Sequence, residues 1–252
     1  MPFEQTRRRF LGAATAAVAG LPLGLQLAYA QDAQPQDDNT PPHPTPKHPD
    51  IVVLFSGKEE DLQNWTREGG KQPADWTVKD GAMLTRVASI ISKQLFTDFQ
   101  LHVEFKVPFM PDKHGQERGN SGVGLLGGYE IQVLDSYGFK EPGTGDCGAV
   151  YNKSAPLVNA CKQPLQWQTY DITFRAPRFA EGKKIANARV SVIQNGLVVQ
   201  NNQEIDGTTG IGGKDDGQPG PVYLQYHHNA VQFRNVWVLP LPLQGPTHYD
   251  PK

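Results

Sequence analysis

From residue 51 onward, apolar and polar side chains alternate in short runs. That period of two constrains the fold more than any other feature. In Gln100 to Val107, the residues Leu101, Val103, Phe105 and Val107 fall on one face, and His102, Glu104 and Lys106 on the other. This is the pattern of a half-buried strand. Tyr129 to Val133 alternates likewise and sets Glu130 and Gln132 opposite Tyr129, Ile131 and Val133. Thr169 to Arg175 places Tyr170, Ile172 and Phe174 on one face. Arg189 to Gln194, then Asn195-Gly196, then Leu197 to Gln200 reads as a hairpin, because both turn residues tolerate the positive φ of a type I′ turn. Val231 to Leu239 is a last strand. The 26 Gly and 21 Pro supply turns, and no heptad or long 3.6-residue period runs through the chain, which excludes a helical bundle. Roughly ten to thirteen strands predict an all-β domain of two packed antiparallel sheets.

The N-terminus reads as an address. Arg7, Arg8 and Arg9 precede Phe10-Leu11 and a run rich in Ala, Gly and Leu, ending at Ala28-Tyr29-Ala30. Residues 1–30 thus have the form of a twin-arginine export signal with a small-x-small cleavage site. The alternative is a retained anchor, which Gly20, Pro22, Gly24 and Gln26 weaken. A periplasmic or otherwise exported location follows, with membrane contact only through that signal. Residues 31–50 hold six prolines and four aspartates and read as a disordered linker, in which His43 and His48 are part of a solvated spacer rather than metal ligands. The domain spans 51–243, and 244–252 form a tail.

The formal net charge is -2. Without residues 1–30, which carry three arginines and one glutamate, it is -4. Nucleic acid is excluded as the main partner, because phosphate binding needs clustered cations.

Gly119-Asn-Ser-Gly-Val123 followed by Gly128-Tyr-Glu-Ile-Gln-Val-Leu-Asp-Ser136 resembles the 3-keto-disaccharide hydrolases, also described as 3-keto-glucoside 1,2-lyases. Leu54-Phe-Ser-Gly-Lys58, Leu62-Gln-Asn-Trp65, Trp76-Thr-Val-Lys-Asp-Gly81, Gly148-Ala-Val-Tyr151, Trp167-Gln-Thr-Tyr-Asp-Ile172 and Phe233-Arg-Asn-Val-Trp237 extend the resemblance over about residues 51–241. It implies a concanavalin A-like, laminarinase-type jelly roll acting on a glycoside or oligosaccharide whose C3 hydroxyl is oxidised to a ketone. Three positions depart from the family pattern. An acidic residue is replaced by Tyr226 and a glycine by His228 within Gln225-Tyr-His-His228, and an arginine is replaced by Gly128.

A 3-keto group acidifies the C2–H bond, so a base can remove that proton and the C1 substituent leaves by β-elimination. Water then adds to the enone. The route needs a base, a group that stabilises the enolate, and an acid for the leaving group. Glu130, Gln132 and Asp135 form the densest cluster. Their spacing is similar to the bulged Glu-x-Asp-x-x-Glu of laminarinase-type glycosidases, with an amide in place of the middle acid, which argues against a retaining double displacement. Asp135 is either a site residue or a turn residue. His227, sharing a face with Gln225, is the candidate for proton transfer near neutral pH or a structural histidine. His102, Glu104 and Lys106 bind sugar or meet solvent. Asn120 holds sugar hydroxyls or caps a turn, and Tyr151 stacks on a sugar ring or packs in the core. The rival functions are a non-catalytic carbohydrate-binding module and an ordinary glycoside hydrolase.

No cofactor is expected, and a divalent cation is left open. Asp215-Asp216, among Gly212, Gly213 and Gly217, reads as a flexible loop rather than a cation site. Cys147 and Cys161 are the only cysteines. Export favours a disulfide between them over two reduced thiols.

Overall fold

The structure is a computed structural model that describes residues 35–243. The expected export signal and cleavage site, the first residues of the expected linker and the expected tail 244–252 lie outside the described residues. Fifteen strands follow in chain order. The first five are β1 (Val52–Phe55), β2 (Trp65–Arg67), β3 (Thr77–Lys79), β4 (Ala82–Leu84) and β5 (Ile90–Phe96). Next come β6 (Phe99–Lys106), β7 (Ser121–Leu125), β8 (Tyr129–Val133), β9 (Gln168–Arg175) and β10 (Arg178–Ala180). The last are β11 (Lys183–Ala186), β12 (Ala188–Gln194), β13 (Leu197–Ile205), β14 (Gly220–Leu224) and β15 (Gln232–Pro240). The predicted strands all form. Asn195 and Gly196 turn the β12–β13 hairpin with φ of 51° and 83°, as a type I′ turn requires.

The strands build an antiparallel jelly-roll sandwich. The larger sheet has eight strands in the order β13-β12-β9-β6-β15-β4-β3, with β1 also on β15, and the smaller has five in the order β2-β5-β14-β7-β8. β10 and β11 form a separate hairpin. The apolar sets read from the sequence meet between the sheets. Phe99, Leu101, Val103 and Phe105 of β6 and Tyr170, Ile172 and Phe174 of β9 are buried, as are Tyr129, Ile131 and Val133 of β8. Tyr129 of the smaller sheet reaches Phe174 of the larger one at 5.3 Å between ring centroids. Each such side chain contributes about 1.5–3 kcal/mol on burial. The alternation that fills this core aims Glu130 and Gln132 out of the smaller sheet, and His102, Glu104 and Lys106 out of the larger one.

The linker expectation needs correction. Residues 35–50 carry no regular strand, yet the compact unit begins at Pro35. The Asp38 N–H donates to the Leu165 carbonyl at 2.9 Å, and the Asp38 carboxylate accepts the Trp167 N–H at 3.0 Å. The His43 N–H donates to Glu104 Oε1 at 2.7 Å, and the His43 carbonyl accepts Asn235 Nδ2 at 2.9 Å. A proline-rich chain has few N–H groups to satisfy and is already extended, so a few contacts with a polar sheet face suffice to dock it.

The cysteines also differ from expectation. Cys147 and Cys161 are free thiols. They hydrogen-bond each other, and Cys147 Sγ lies 3.2 Å from the Tyr170 hydroxyl. Burial disfavours a Cys147 thiolate, but its contacts with Cys161 and Tyr170 outweigh it and lower its pKa; the neighbouring Cys147 and burial push Cys161 up.

Candidate active site

A cleft of about 200 Å³ opens on the outer face of the smaller sheet. Glu130, Gln132, Asn120, Tyr151, Gln225 and His227 line it, together with Gln116, Thr209, Gly210 and Ile211. Six of the ten residues proposed from sequence for catalysis or sugar binding therefore converge.

Glu130 sits at its floor. Its strand β8 pairs with β7 so that Gly124 faces Glu130 and Gly122 faces Gln132. Both glycines are spatial requirements. A Cβ on Gly122 would fall 2.1 Å from Glu130 Oε1, and one on Gly124 would fall 2.6 Å from Ile211 Cδ1 and 2.8 Å from Tyr223 Cβ. The segment 206–217 closes over this floor. The Thr209 N–H donates to the Gly128 carbonyl at 2.9 Å, the Gly213 N–H to the Gly127 carbonyl at 2.7 Å, and the Glu130 N–H to Thr209 Oγ1 at 2.9 Å. This packing explains why position 128 is glycine: a Cβ there would lie 3.0 Å from Thr208 Cγ2 and 3.1 Å from the Gly213 backbone.

The resulting environment is dry. Glu130 is 3% exposed. Burial alone pushes its pKa up to about 7, with no charge or hydrogen bond offsetting it. It is the only carboxylate among the described residues that line the cleft. The amide of Gln132 is turned by Gln116 and Asn120, whose carbonyl oxygens accept from its Nε2 at 3.1 and 3.2 Å. That leaves Gln132 Oε1 without a partner among the described residues, and Gln225 Oε1 is likewise unpaired. Two buried, unpaired acceptors beside a carboxyl suit a hydroxyl-rich ligand. His227 follows the end of β14 and is exposed at the cleft. Beside the floor, Tyr223 donates to Ser89 Oγ at 2.8 Å, and burial raises its pKa to about 12.

Four sequence candidates lie elsewhere. Asp135 is 4% exposed, 3.2 Å from the Arg118 guanidinium, and accepts the Tyr137 N–H at 3.2 Å, so it shapes the chain after β8. Burial raises its pKa, while Arg118 and Tyr137 oppose the rise. His102, Glu104 and Lys106 share one face as expected, but of the other sheet and beneath the N-terminal strap. Lys106 pairs with Asp37, and Glu104 with Arg234 at 2.7 Å. Lys106 and Arg234 lie over the Trp167 ring, 4.9 and 3.9 Å from its centroid. Burial opposes charge on Glu104, but the nearby His102 ring and hydrogen bonds from Asn235, His43 and Arg234 outweigh it and hold its pKa at about 2. Burial would lower the His102 pKa, but Asp171 and Glu104 outweigh it and raise it to about 8. Alternation told which side of a strand these groups take. It did not tell which sheet each strand joins.

Gln116, Thr209 and Ile211 went unread in the sequence. The signal for the last two was the glycine-rich stretch Gly207 to Gly217, whose Gly213 sits where a Cβ would be 2.4 Å from the Gly127 carbonyl carbon.

With this geometry in place, known proteins bear on the chain's relationships. A family described as a 3-keto-alpha-glucoside-1,2-lyase-like domain matches residues 50–239. A crystal structure of a proposed glycosyl hydrolase from Parabacteroides distasonis ATCC 8503 is 37% identical, covers 81% of this chain and 95% of its own, and superposes with a TM-score of 0.70. A second from the same organism, 21% identical over 76% of this chain and 94% of its own, superposes at 0.53 and shares the fold. No curated protein matches the sequence. The protein is carbohydrate-active and glycosyl hydrolase-like, and the chain belongs to the 3-keto-alpha-glucoside-1,2-lyase-like family.

Proposed function

We propose that the protein cleaves 3-keto-glycosides by abstraction of the C2 proton and β-elimination of the C1 substituent, with hydration of the enone completing a net hydrolysis. The observation that carries this reading is the lone, desolvated Glu130 at the cleft floor, with a pKa of about 7. A base poised there is half ionised at neutral pH and strong enough to take an acidified C–H proton. An ordinary retaining or inverting glycosidase needs two carboxyl groups across the scissile bond. The cleft supplies one, and Asp135 is held by Arg118 instead.

In this mechanism Glu130 takes the C2 proton. The Gln225 amide and the Tyr151 hydroxyl supply hydrogen bonds to the enolate oxygen as charge develops on it. The unpaired Gln132 Oε1 accepts from a sugar hydroxyl. His227, open to solvent at the cleft, protonates the leaving group. The enzyme works outside the cytoplasm, delivered by the signal in residues 1–30.

The test is turnover of 3-keto-trehalose and 3-keto-lactose against their unoxidised parents by the parent protein and Glu130→Gln. The keto sugars should be cleaved and the parents spared, with the variant slower by about 10²–10⁴-fold. Parents cleaved as fast as their keto forms would assign an ordinary hydrolase. Binding without turnover of either would assign a carbohydrate-binding module.

A further inference from the structure

We propose that His43, His102 and Glu104 form a binding site for a borderline transition-metal ion, Zn²⁺ above all, that clasps the N-terminal strap to the larger sheet. The site lies on the other sheet from the sugar cleft and does not depend on the reading of that cleft. One donor atom from each of the three side chains lies within 4.8 Å of the other two. A tetrahedral ion with bonds of ~2.1 Å places its ligand atoms roughly 3.4 Å apart, so the three donors draw together as the ion binds.

Each ligand is prepared for the role by its neighbours. His102 is 3% exposed, and its Nδ1 lies 2.6 Å from Asp171 Oδ1. A carboxylate on Nδ1 fixes the proton there and leaves the Nε2 lone pair for a metal, the arrangement metal-binding histidines usually show. That Nε2 is buried and has no hydrogen-bond partner among the described residues. Glu104 Oε1 is 3.6 Å away, too far for a hydrogen bond but suited to sharing an ion. The Trp237 ring lies nearly parallel on His102, 5.3 Å between centroids at 11°, and restricts its rotation. Glu104 is oriented by Arg234 Nε at 2.7 Å and Asn235 Nδ2 at 2.8 Å. His43 is exposed, but its backbone is pinned on both sides by Glu104 and Asn235, so its ring is delivered to the same place, 5.9 Å from His102.

Two imidazoles and a single carboxylate suit Zn²⁺, Co²⁺, Ni²⁺ or Cu²⁺; Ca²⁺ and Mg²⁺ take oxygen ligands. Because His43 is exposed, a fourth position faces water. The rival arrangement is an imidazolium at His102 held between Asp171 and Glu104, with a proton where the ion would be.

Full-length protein stripped with EDTA and titrated with Co²⁺ decides between them. The expected result is one Co²⁺ per chain with visible d–d absorption, displaced by Zn²⁺. His43→Ala, at an exposed position that spares the fold, should weaken binding by more than about tenfold, and Asp171→Asn by about 10–100-fold. His48→Ala should leave it unchanged. Zn²⁺ should also slow proteolysis within residues 35–50 in the parent but not in His43→Ala. No stoichiometric binding, or binding that survives both His43→Ala and Asp171→Asn, would overturn the proposal and leave the imidazolium.

Discussion

Glu130 is a carboxyl whose usefulness and cost have one origin. Burial raises its pKa from 4.5 to about 7, so the folded chain favours the protonated form. The associated stability is fully present below the unfolded value and is lost as pH rises through 7, a span worth about 3 kcal/mol. Glu130→Gln has no charge to bury. Urea unfolding at pH 5 and pH 8 should therefore find the variant similar to the parent at the lower pH and more stable at the higher, although nearly inactive. A variant less stable than the parent at pH 8 would contradict the desolvated carboxyl. For the parent, the ascending limb of kcat/KM against pH should have its midpoint near 7. Gly122→Ala tests the same group from below. Its methyl would lie 2.1 Å from Glu130 Oε1 and 2.9 Å from Cδ, so the carboxyl at the end of this flexible side chain must swing aside. Activity should drop by about 10²-fold through misplacement, while stability changes by less than ~1 kcal/mol. Glu130 and Gln132 were legible because one period-2 strand carries both. Asp135 misled because the same spacing occurs where a carboxylate only steadies the chain after a strand.

At the scale of elements, the segment 206–217 decides whether Glu130 is dry. Gly213 meets Gly127 backbone to backbone, so Gly213→Ala must lift the segment away. Water reaching Glu130 should return its pKa toward 4.5, and the midpoint of the pH–rate profile should move to lower pH together with a fall in kcat. Circular dichroism should show an intact sandwich. A midpoint that stays near 7 in this variant would mean that the segment does not control solvent at the site. Strands were readable in the sequence because alternation is local, and the Asn195-Gly196 turn because its chemistry is confined to two residues. The docking of 206–217 was not readable: Thr209 and Gly213 bond to Gly128 and Gly127, about eighty positions earlier, and a glycine-rich run has the same composition whether it floats or packs.

Across the whole molecule, the sandwich uses its two outer faces differently. The smaller sheet offers an open cleft with one carboxyl. The larger sheet is closed by the strap, whose partners Glu104, Leu165, Trp167 and Asn235 lie far along the chain, so its composition read as a bare spacer. The proposed export rests on the first thirty residues of the sequence. Replacing Arg7, Arg8 and Arg9 with Lys should trap precursor in the cytoplasm, as cell fractionation would show; unaffected export would remove the twin-arginine reading. The claim that joins these scales is that the cleft breaks a C2–H bond before the glycosidic bond. The direct measurement is cleavage of a 3-keto-glycoside in D₂O, with the released keto sugar analysed by mass spectrometry and NMR. Elimination followed by hydration predicts one deuterium at C2 of product formed by the parent protein, at a rate that falls with Glu130→Gln. Product carrying no deuterium at C2, released by direct attack at C1, would contradict the account.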